Sequence, residues 1–239
     1  MSSEIGPKTI RDGLVFAVDA ADFNSYPQSG TTWFDLSPNS RNATLTGSLS
    51  FSSSYGGGLQ FNGTNTQAII SNFPSVTSSA GMTFNIWMEQ TTTGSGSNPR
   101  VFSKYESTSS GYQFGSPGID ITKFTFRLDV GAGSGSCVTS GIPVIGQIYN
   151  LVIVYSGNNP LPVLSIYTNG VLNSISGALG SLGISVPSGN QSTTLYLGSS
   201  PTSNFVNGKI YAFHVYDRAF TDWEAKNLYN SFKPRFGLS

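Results

Sequence analysis

The densest chemical grouping in this 239-residue chain is Asn85-Ile86-Trp87-Met88-Glu89. Residues two apart share a face of an extended strand, so Asn85, Trp87 and Glu89 line up together. An indole beside an amide and a carboxylate suits a saccharide. The ring stacks on a pyranose while the polar groups take its hydroxyls. A second reading is open, in which Trp87 fills the far side of the sheet under a loop. Tyr105 and Tyr112 flank a Ser-rich loop and are further ligand-binding candidates, or lids over a satellite cluster.

Catalytic groupings are sparse. A retaining carboxylate pair needs its carboxyls roughly 5 Å apart, which two same-face strand neighbours would supply. No strand carries that alternation: Glu89, Glu106 and Asp129 each stand alone, and Asp19, Asp22, Asp217 and Glu224 fall at a strand end and a helix cap. Arg127 and Asp129, two apart, read as an exposed pair of little energetic weight. His214 is the single histidine and lies in a strand, with no serine elbow anywhere to serve it. Cys137, the single cysteine, excludes an intrachain disulfide and reads as a spectator thiol. Neither a zinc-ligand spacing nor a phosphate-binding Gly-rich loop with Lys-Ser/Thr occurs. The reading is of no catalytic residues, no metal and no cofactor.

Charge narrows the partners. Charged residues make up 10% of the chain, with twelve Lys and Arg against twelve Asp and Glu. The average is roughly 25%. A neutral chain lacks the phosphate-neutralising charge that nucleic acid demands and the basic cluster of a membrane clamp. Its polar surface must be built from Ser, Thr, Asn, Gln and Gly, which suits glycans or close lattice packing. No apolar run approaches the roughly 20 residues of a membrane helix, and the opening MSSEIGPKTIRDGLVFAVDA has no apolar h-region. The expectation is synthesis in a cytoplasm without a signal peptide, the sequons at Asn42, Asn62 and Asn190 being incidental.

The elements that position these residues follow a period of two. Leu14, Phe16 and Val18 alternate with Val15, Ala17 and Asp19. Phe84, Ile86 and Met88 alternate with Asn85, Trp87 and Glu89, and Phe124, Phe126 and Leu128 with Thr125, Arg127 and Asp129. The run 149–155 is more continuously apolar and predicts a strand covered on both faces. Asn169-Gly170 between apolar runs predicts a hairpin turn. Gly/Ser/Pro clusters at 56–58, 91–98, 131–136, 156–162 and 187–192 predict loops. Thr221-Asp222-Trp223-Glu224 is a capping box opening a short helix that Pro234 stops. The fold class is all-β, a two-sheet antiparallel jelly-roll sandwich with one short C-terminal helix. The division is an N-terminal arm over 1–12, a domain over 13–232 and a tail over 233–239.

An ordered string of motifs carries a resemblance. Gly13-Leu14-Val15-Phe16-Ala17-Val18-Asp19-Ala20 is followed by Thr32-Trp33-Phe34-Asp35-Leu36-Ser37 and Leu59-Gln60-Phe61-Asn62-Gly63. Ile166 to Val171 and the closing run Gly208 to Thr221 come later. Over roughly residues 12 to 232 the chain resembles the concanavalin A-like, laminin-G-like jelly rolls found in bacteriophage virion structural proteins. The resemblance implies two curved antiparallel sheets with the first and last strands adjacent. It implies a non-enzymatic virion surface protein, a capsid or tail decoration whose partners are capsid or tail subunits and copies of itself, with residues 1–12 and 233–239 as anchors. The alternative it implies is a carbohydrate-binding adhesin for host-surface glycans. Relatives also bind calcium, several through Asp-Gly-x-Asp-Asp; here that stretch is Asn62-Gly63-Thr64-Asn65-Thr66, without the acidic ligands.

Overall fold

Alternation of apolar and polar residues drives strands together because each face of a pleated strand meets a different environment. The computed structural model describes residues 9–74, 81–92, 99–107, 110–115, 123–130, 133–139, 144–157, 163–175 and 193–238. The strands are β1 (Leu14–Asp19), β2 (Thr32–Trp33), β3 (Ala43–Thr46), β4 (Ser50–Ser52), β5 (Gly58–Asn62), β6 (Gln67–Phe73), β7 (Met82–Gln90) and β8 (Arg100–Ser107). They continue as β9 (Ser110–Gly115), β10 (Thr125–Val130), β11 (Gly133–Val138), β12 (Ile148–Tyr155), β13 (Leu164–Thr168), β14 (Val171–Ile175), β15 (Thr193–Leu197) and β16 (Asn207–Tyr216). Helix α1 (Asp222–Phe232) and the 3-10 turn Lys233–Phe236 follow. No helix among the described residues is long and apolar enough to cross a membrane.

Two sheets of eight antiparallel strands face each other. The first runs β14-β13-β12-β7-β16-β5-β4, with β1 also paired to β16; the second runs β11-β10-β9-β8-β15-β6-β3-β2. Neighbours in space are often distant in sequence: β7 lies between β12 and β16, and β15 between β8 and β6. That is jelly-roll wiring, and the β1–β16 pair brings the first and last strands together.

Between the sheets lies an aromatic core. Phe84 stacks on Phe102 with centroids 4.9 Å apart, Phe102 meets Phe213 at 5.1 Å, and Phe16 meets Phe73 edge-on at 5.7 Å. The expected turn at Asn169-Gly170 forms with φ 51° and 75°, the positive pair that a two-residue hairpin requires. All eight residues of β12 are buried, Asn150 among them, as its largely apolar run predicts.

One expectation needs correction. Gly133–Ser136, predicted as loop, belongs to β11, which pairs with β10 from Val138 to Gly133. Backbone ladder bonds require no side chain, so a Gly/Ser run can complete a sheet edge that a neighbouring strand templates. Pro234 ends α1 but does not release the chain: it opens the 3-10 turn, fitting a position whose N–H needs no partner. Residues 233–238 therefore continue the packing of α1, with Phe236 buried against the first sheet.

Candidate functional site: two sheet faces

The outer face of the first sheet carries the residues singled out by spacing. β7 sends Phe84, Ile86 and Met88 into the core and Asn85, Trp87 and Glu89 outward, as alternation demands. That outward face is not open. α1 and its 3-10 turn lie across it, burying Ala225, Leu228, Phe232 and Phe236 against Trp87, Val152, Tyr211, Ala212 and Tyr216. Trp87 and Asn85 are 0% exposed. The indole does stack, but on the chain's own rings: Phe236 at 4.3 Å and 7°, and Tyr229 at 5.7 Å and 9°. A saccharide face on Asn85-Trp87-Glu89 is thus corrected. The strand period sets which residues share a face, and the distant helix decides that the face is covered.

The polar groups beneath the helix are engaged with one another. Asn85 Nδ2 lies 2.9 Å from His214 Nδ1, and Asn150 Nδ2 donates to Asn85 Oδ1 at 2.7 Å. His214 is buried, and desolvation, aided by the Arg235 charge, pulls its pKa down to about 3, so the imidazole is neutral. Its partner is an amide and not a nucleophile. Glu89 Oε2 accepts from Tyr211 Oη at 2.8 Å and from Lys209 Nζ at 3.2 Å. Tyr211 reaches it because it is the extra residue of a bulge between Ile210 and Ala212. Burial first, and this bond second, raise the tyrosine's pKa. Trp87 Nε1, Asn150 Oδ1 and Tyr216 Oη, all buried on this face, have no protein hydrogen-bond partner.

Arg235 is the clamp of the covering segment. Its Nη1 donates to both carboxylate oxygens of Asp19 at 2.8 and 2.9 Å, and its Nε and Nη2 donate to the carbonyls of Tyr55 and Gly57, each at 2.7 Å. Asp19 keeps a raised pKa, because its burial outweighs the guanidinium beside it. At the other end of α1 the capping box is complete, and Arg218 Nη2 meets Glu224 Oε1 at 2.6 Å. That bond leads the causes holding the Glu224 carboxyl down to about 2. The acidic residues here serve the fold in separate ion pairs, with no two set as an acid and a base.

The 62–66 loop does not fit a calcium ion. Asn62 Oδ1, the oxygen best placed to be a ligand, accepts from Thr64 N at 2.9 Å, Asn65 N at 3.1 Å, Thr64 Oγ1 at 2.9 Å and Thr66 Oγ1 at 3.1 Å. An oxygen turned toward donors cannot also hold a cation. Among the described residues no three His, Cys, Asp or Glu gather as a metal site.

The outer face of the second sheet presents a different surface. The strand registers join Thr32, Thr44, Ile69, Tyr196, Ser103, Gln113, Arg127 and Ser136 into one row across all eight strands. The alternating residues Ile70, Leu195, Phe102 and Phe126 point the other way into the core. Thr44, Arg127 and Ser136 are exposed, and Ile69 and Tyr196 half-buried. Ser103 is buried because Ser199, in the 199–204 loop, comes over it: Ser103 Oγ donates to Ser199 O at 2.9 Å. Tyr196 is a half-exposed phenol ring between Ile69 and the buried Ser103, with Thr44 two strands away on one side and Arg127 three strands away on the other, and no described side chain of this row is a carboxylate. Sequence reasoning missed it, because single residues on eight separate strands share no local spacing.

Tyr105 pairs with Gly111, and Tyr112 with Lys104 and Leu128. The side chains of Tyr105, Tyr112, Gln113 and Asp129 lie outside the described residues. Sequence reasoning also passed over Lys104, which is fully buried on β8 opposite Leu195, where desolvation pulls its pKa down to about 8.

Comparison with known proteins bears on what such faces do. Residues 61–226, more than half of the chain, match the model of the concanavalin A-like lectin/glucanases superfamily. No curated protein matches the sequence. Among solved structures, the binding domain of Paraclostridial mosquitocidal protein 1 is similar with a TM-score of 0.71 at 13% identity, over 94% of this chain and 53% of that one. The binding domain of botulinum neurotoxin DC in complex with SialylT gives 0.66 at 15% identity, over 94% and 52%. Domain 4 of AbnA, an extracellular arabinanase from Geobacillus stearothermophilus in complex with arabinotriose, gives 0.68 at 16% identity, over 92% and 99%. The chain thus spans about half the length of the toxin binding domains and nearly all of the arabinanase domain. At these identities the likeness is one of fold.

Proposed function

The chain belongs to the concanavalin A-like lectin/glucanases superfamily, and we propose that it acts there as a non-enzymatic binding module whose ligand is a saccharide. The observation that carries this reading is the outward row across the second sheet, with the half-exposed Tyr196 near its centre and Thr44, Arg127 and Ser136 exposed farther along it. Adjacent strands lie roughly 4.8 Å apart, about the length of one sugar residue, so the row is long enough to meet an oligosaccharide. Engagement of Asp19, Glu89 and Glu224 in separate ion pairs supports a module without hydrolytic machinery. The arabinotriose complex of the arabinanase domain supports a saccharide over other small ligands.

The test is direct binding of the intact chain to an array of immobilised glycans, repeated with Tyr196→Ala. The expected result is binding to a restricted set of glycans, reduced roughly tenfold or more by the substitution, as loss of an aromatic platform predicts. An array with no bound glycan would overturn the reading.

A second reading places the module on a virion surface, docked onto capsid or tail subunits or further copies of itself. It is favoured by the exposed apolar side chains of Phe23, Phe34 and Leu36 on a molecule with so little charge. The two readings are compatible, since a decoration can present a saccharide face outward. Co-sedimentation with particles, lost on Phe23→Ser, is the outcome expected of it. Unchanged co-sedimentation would remove Phe23 as part of the contact.

A further inference from the structure

A strand at the edge of a sheet presents unpaired backbone donors and acceptors to any second strand, and native proteins blunt such edges. This sandwich blunts all but one, among the described residues. β2 and β4 are two and three residues long. β14 carries a bulge at Asn173, between the Ile166–Ser174 and Tyr167–Leu172 pairs. The outer edge of β1 is capped by the segment after Phe34. Leu36 N donates to Ala17 O at 2.7 Å, Ala17 N to Asp35 Oδ1 at 2.9 Å, and Asn39 Nδ2 and Arg41 Nη1 to Val15 O at 3.0 and 3.1 Å. β11 is different. Its six residues have an unbroken register with β10, no charge and no proline, and among the described residues they pair with β10 alone. We infer that the free edge of β11 is an interface between two copies of this chain, paired antiparallel about a twofold axis through Ser136.

The ladder fixes which groups of β11 are free. Thr139 N donates to Phe124 O at 2.9 Å, so in the next pair, Thr125 and Val138, the backbone groups turn away from each other. Alternation then turns the N–H and C=O of Ser134, Ser136 and Val138 outward, and those of Gly133, Gly135 and Cys137 toward β10. Two such edges are self-complementary. With the axis at Ser136, each Ser136 meets the partner's Ser136 and each Ser134 meets the partner's Val138, with N–H and C=O exchanged at every pair. A twofold contact sets residues near the axis against their own copies, so a charge there would meet its like; β11 carries none. Ser136 is exposed, which leaves the axis within reach. A second copy brings its edge already ordered, whereas an extended peptide would lose conformational freedom on docking. Ser136 is also the β11 residue of the outward row, so pairing joins the rows of two copies end to end. An edge of six residues, roughly 20 Å long, makes a contact below the roughly 1,200 Å² of stable complexes, so the dimer is of the transient class.

Sedimentation equilibrium of the intact chain without ligand, from about 10 µM to about 1 mM, reads the association. The expected result is a reversible dimer with half-association on the order of 0.1 mM. Ser136→Pro removes an edge donor and spares the ladder to β10, in which the Ser136 N–H takes no part. It should be monomeric throughout, with its melting temperature unchanged. Ser136→Lys sets like charges on the axis and should dimerise only at high salt. Mild oxidation of Ser136→Cys reads the register. Opposed residues of a hydrogen-bonded pair have Cα atoms roughly 5.5 Å apart, within disulfide reach. That variant should crosslink as a dimer, and Val138→Cys, which faces the partner's Ser134, should not; the native Cys137 is buried. A parent chain that stays monomeric to about 1 mM, or a dimer that survives both Ser136→Pro and Ser136→Lys, overturns the interface. Equal crosslinking of the two cysteine variants overturns the axis at Ser136. Because no saccharide is present, the saccharide reading stands or falls separately.

Discussion

Trp87 and Trp223 illustrate how little a residue type fixes by itself. Trp87 has the strand neighbours of a sugar site and is buried; Trp223 sits between helix-cap carboxylates and faces solvent. Spacing found the first because alternation on one strand is local information. Burial of Trp87 by Phe236 and Tyr229 involves partners some 140 residues away, which no local pattern contains. Arg235 shows the same in reverse. It reads as one basic residue in a short tail, yet it satisfies the buried Asp19 and two carbonyls. Arg235→Ala strands a buried carboxylate and leaves two carbonyls without donors. The expected loss is about 3–5 kcal/mol of unfolding free energy, measured by urea denaturation; a loss under about 1 kcal/mol would show that the pair is dispensable.

Among elements, α1 was the most legible in its start and the least in its role. Thr221 and Glu224 mark the N-terminus because capping is a contact across three residues. The surface that the helix covers was unreadable, since an apolar side on a helix does not name the partner it will meet. That surface holds His214, which gives the helix dock a pH dependence. Above about 6.5 the imidazole is neutral both folded and exposed, and contributes nothing. Below that an exposed imidazole takes a proton while the buried one, with its pKa near 3, does not. Stability therefore falls as pH drops from about 6.5 toward 3, by about 1.4 kcal/mol per pH unit from this group. Comparing melting temperatures of the parent and His214→Gln across pH 4 to 7 isolates the term. The variant should show the shallower decline, and parallel curves would contradict the buried neutral imidazole.

Among the described residues, the sandwich has three layers of side chains: a central aromatic core, a partly exposed polar face, and a face sealed by the C-terminal segment. The seal is structural. Deleting residues 222–239 uncovers Trp87, Val152, Tyr211, Ala212 and Tyr216 together, a patch that a soluble chain does not tolerate. The truncated chain is expected to bind a hydrophobic dye and lose its cooperative thermal transition. A soluble product with an unchanged melt would mean that the first sheet does not need its cover.

The strands, the Asn169-Gly170 hairpin and the helix start were all within reach of the sequence, since each rests on contacts between residues a few positions apart. So was the lack of a strand-borne carboxylate pair, because that needs i and i+2 on one strand. The tertiary structure alone decided that one of the outward faces is covered by the C-terminal segment. The Asn85-Trp87-Glu89 face and the Tyr196 row are both outward faces of strands, and only the long-range return of residues 222–236 onto one of them sets the two apart. Burial is a property of the assembled sheets, and period-two alternation specifies which side of a strand a residue takes without saying what will lie against it.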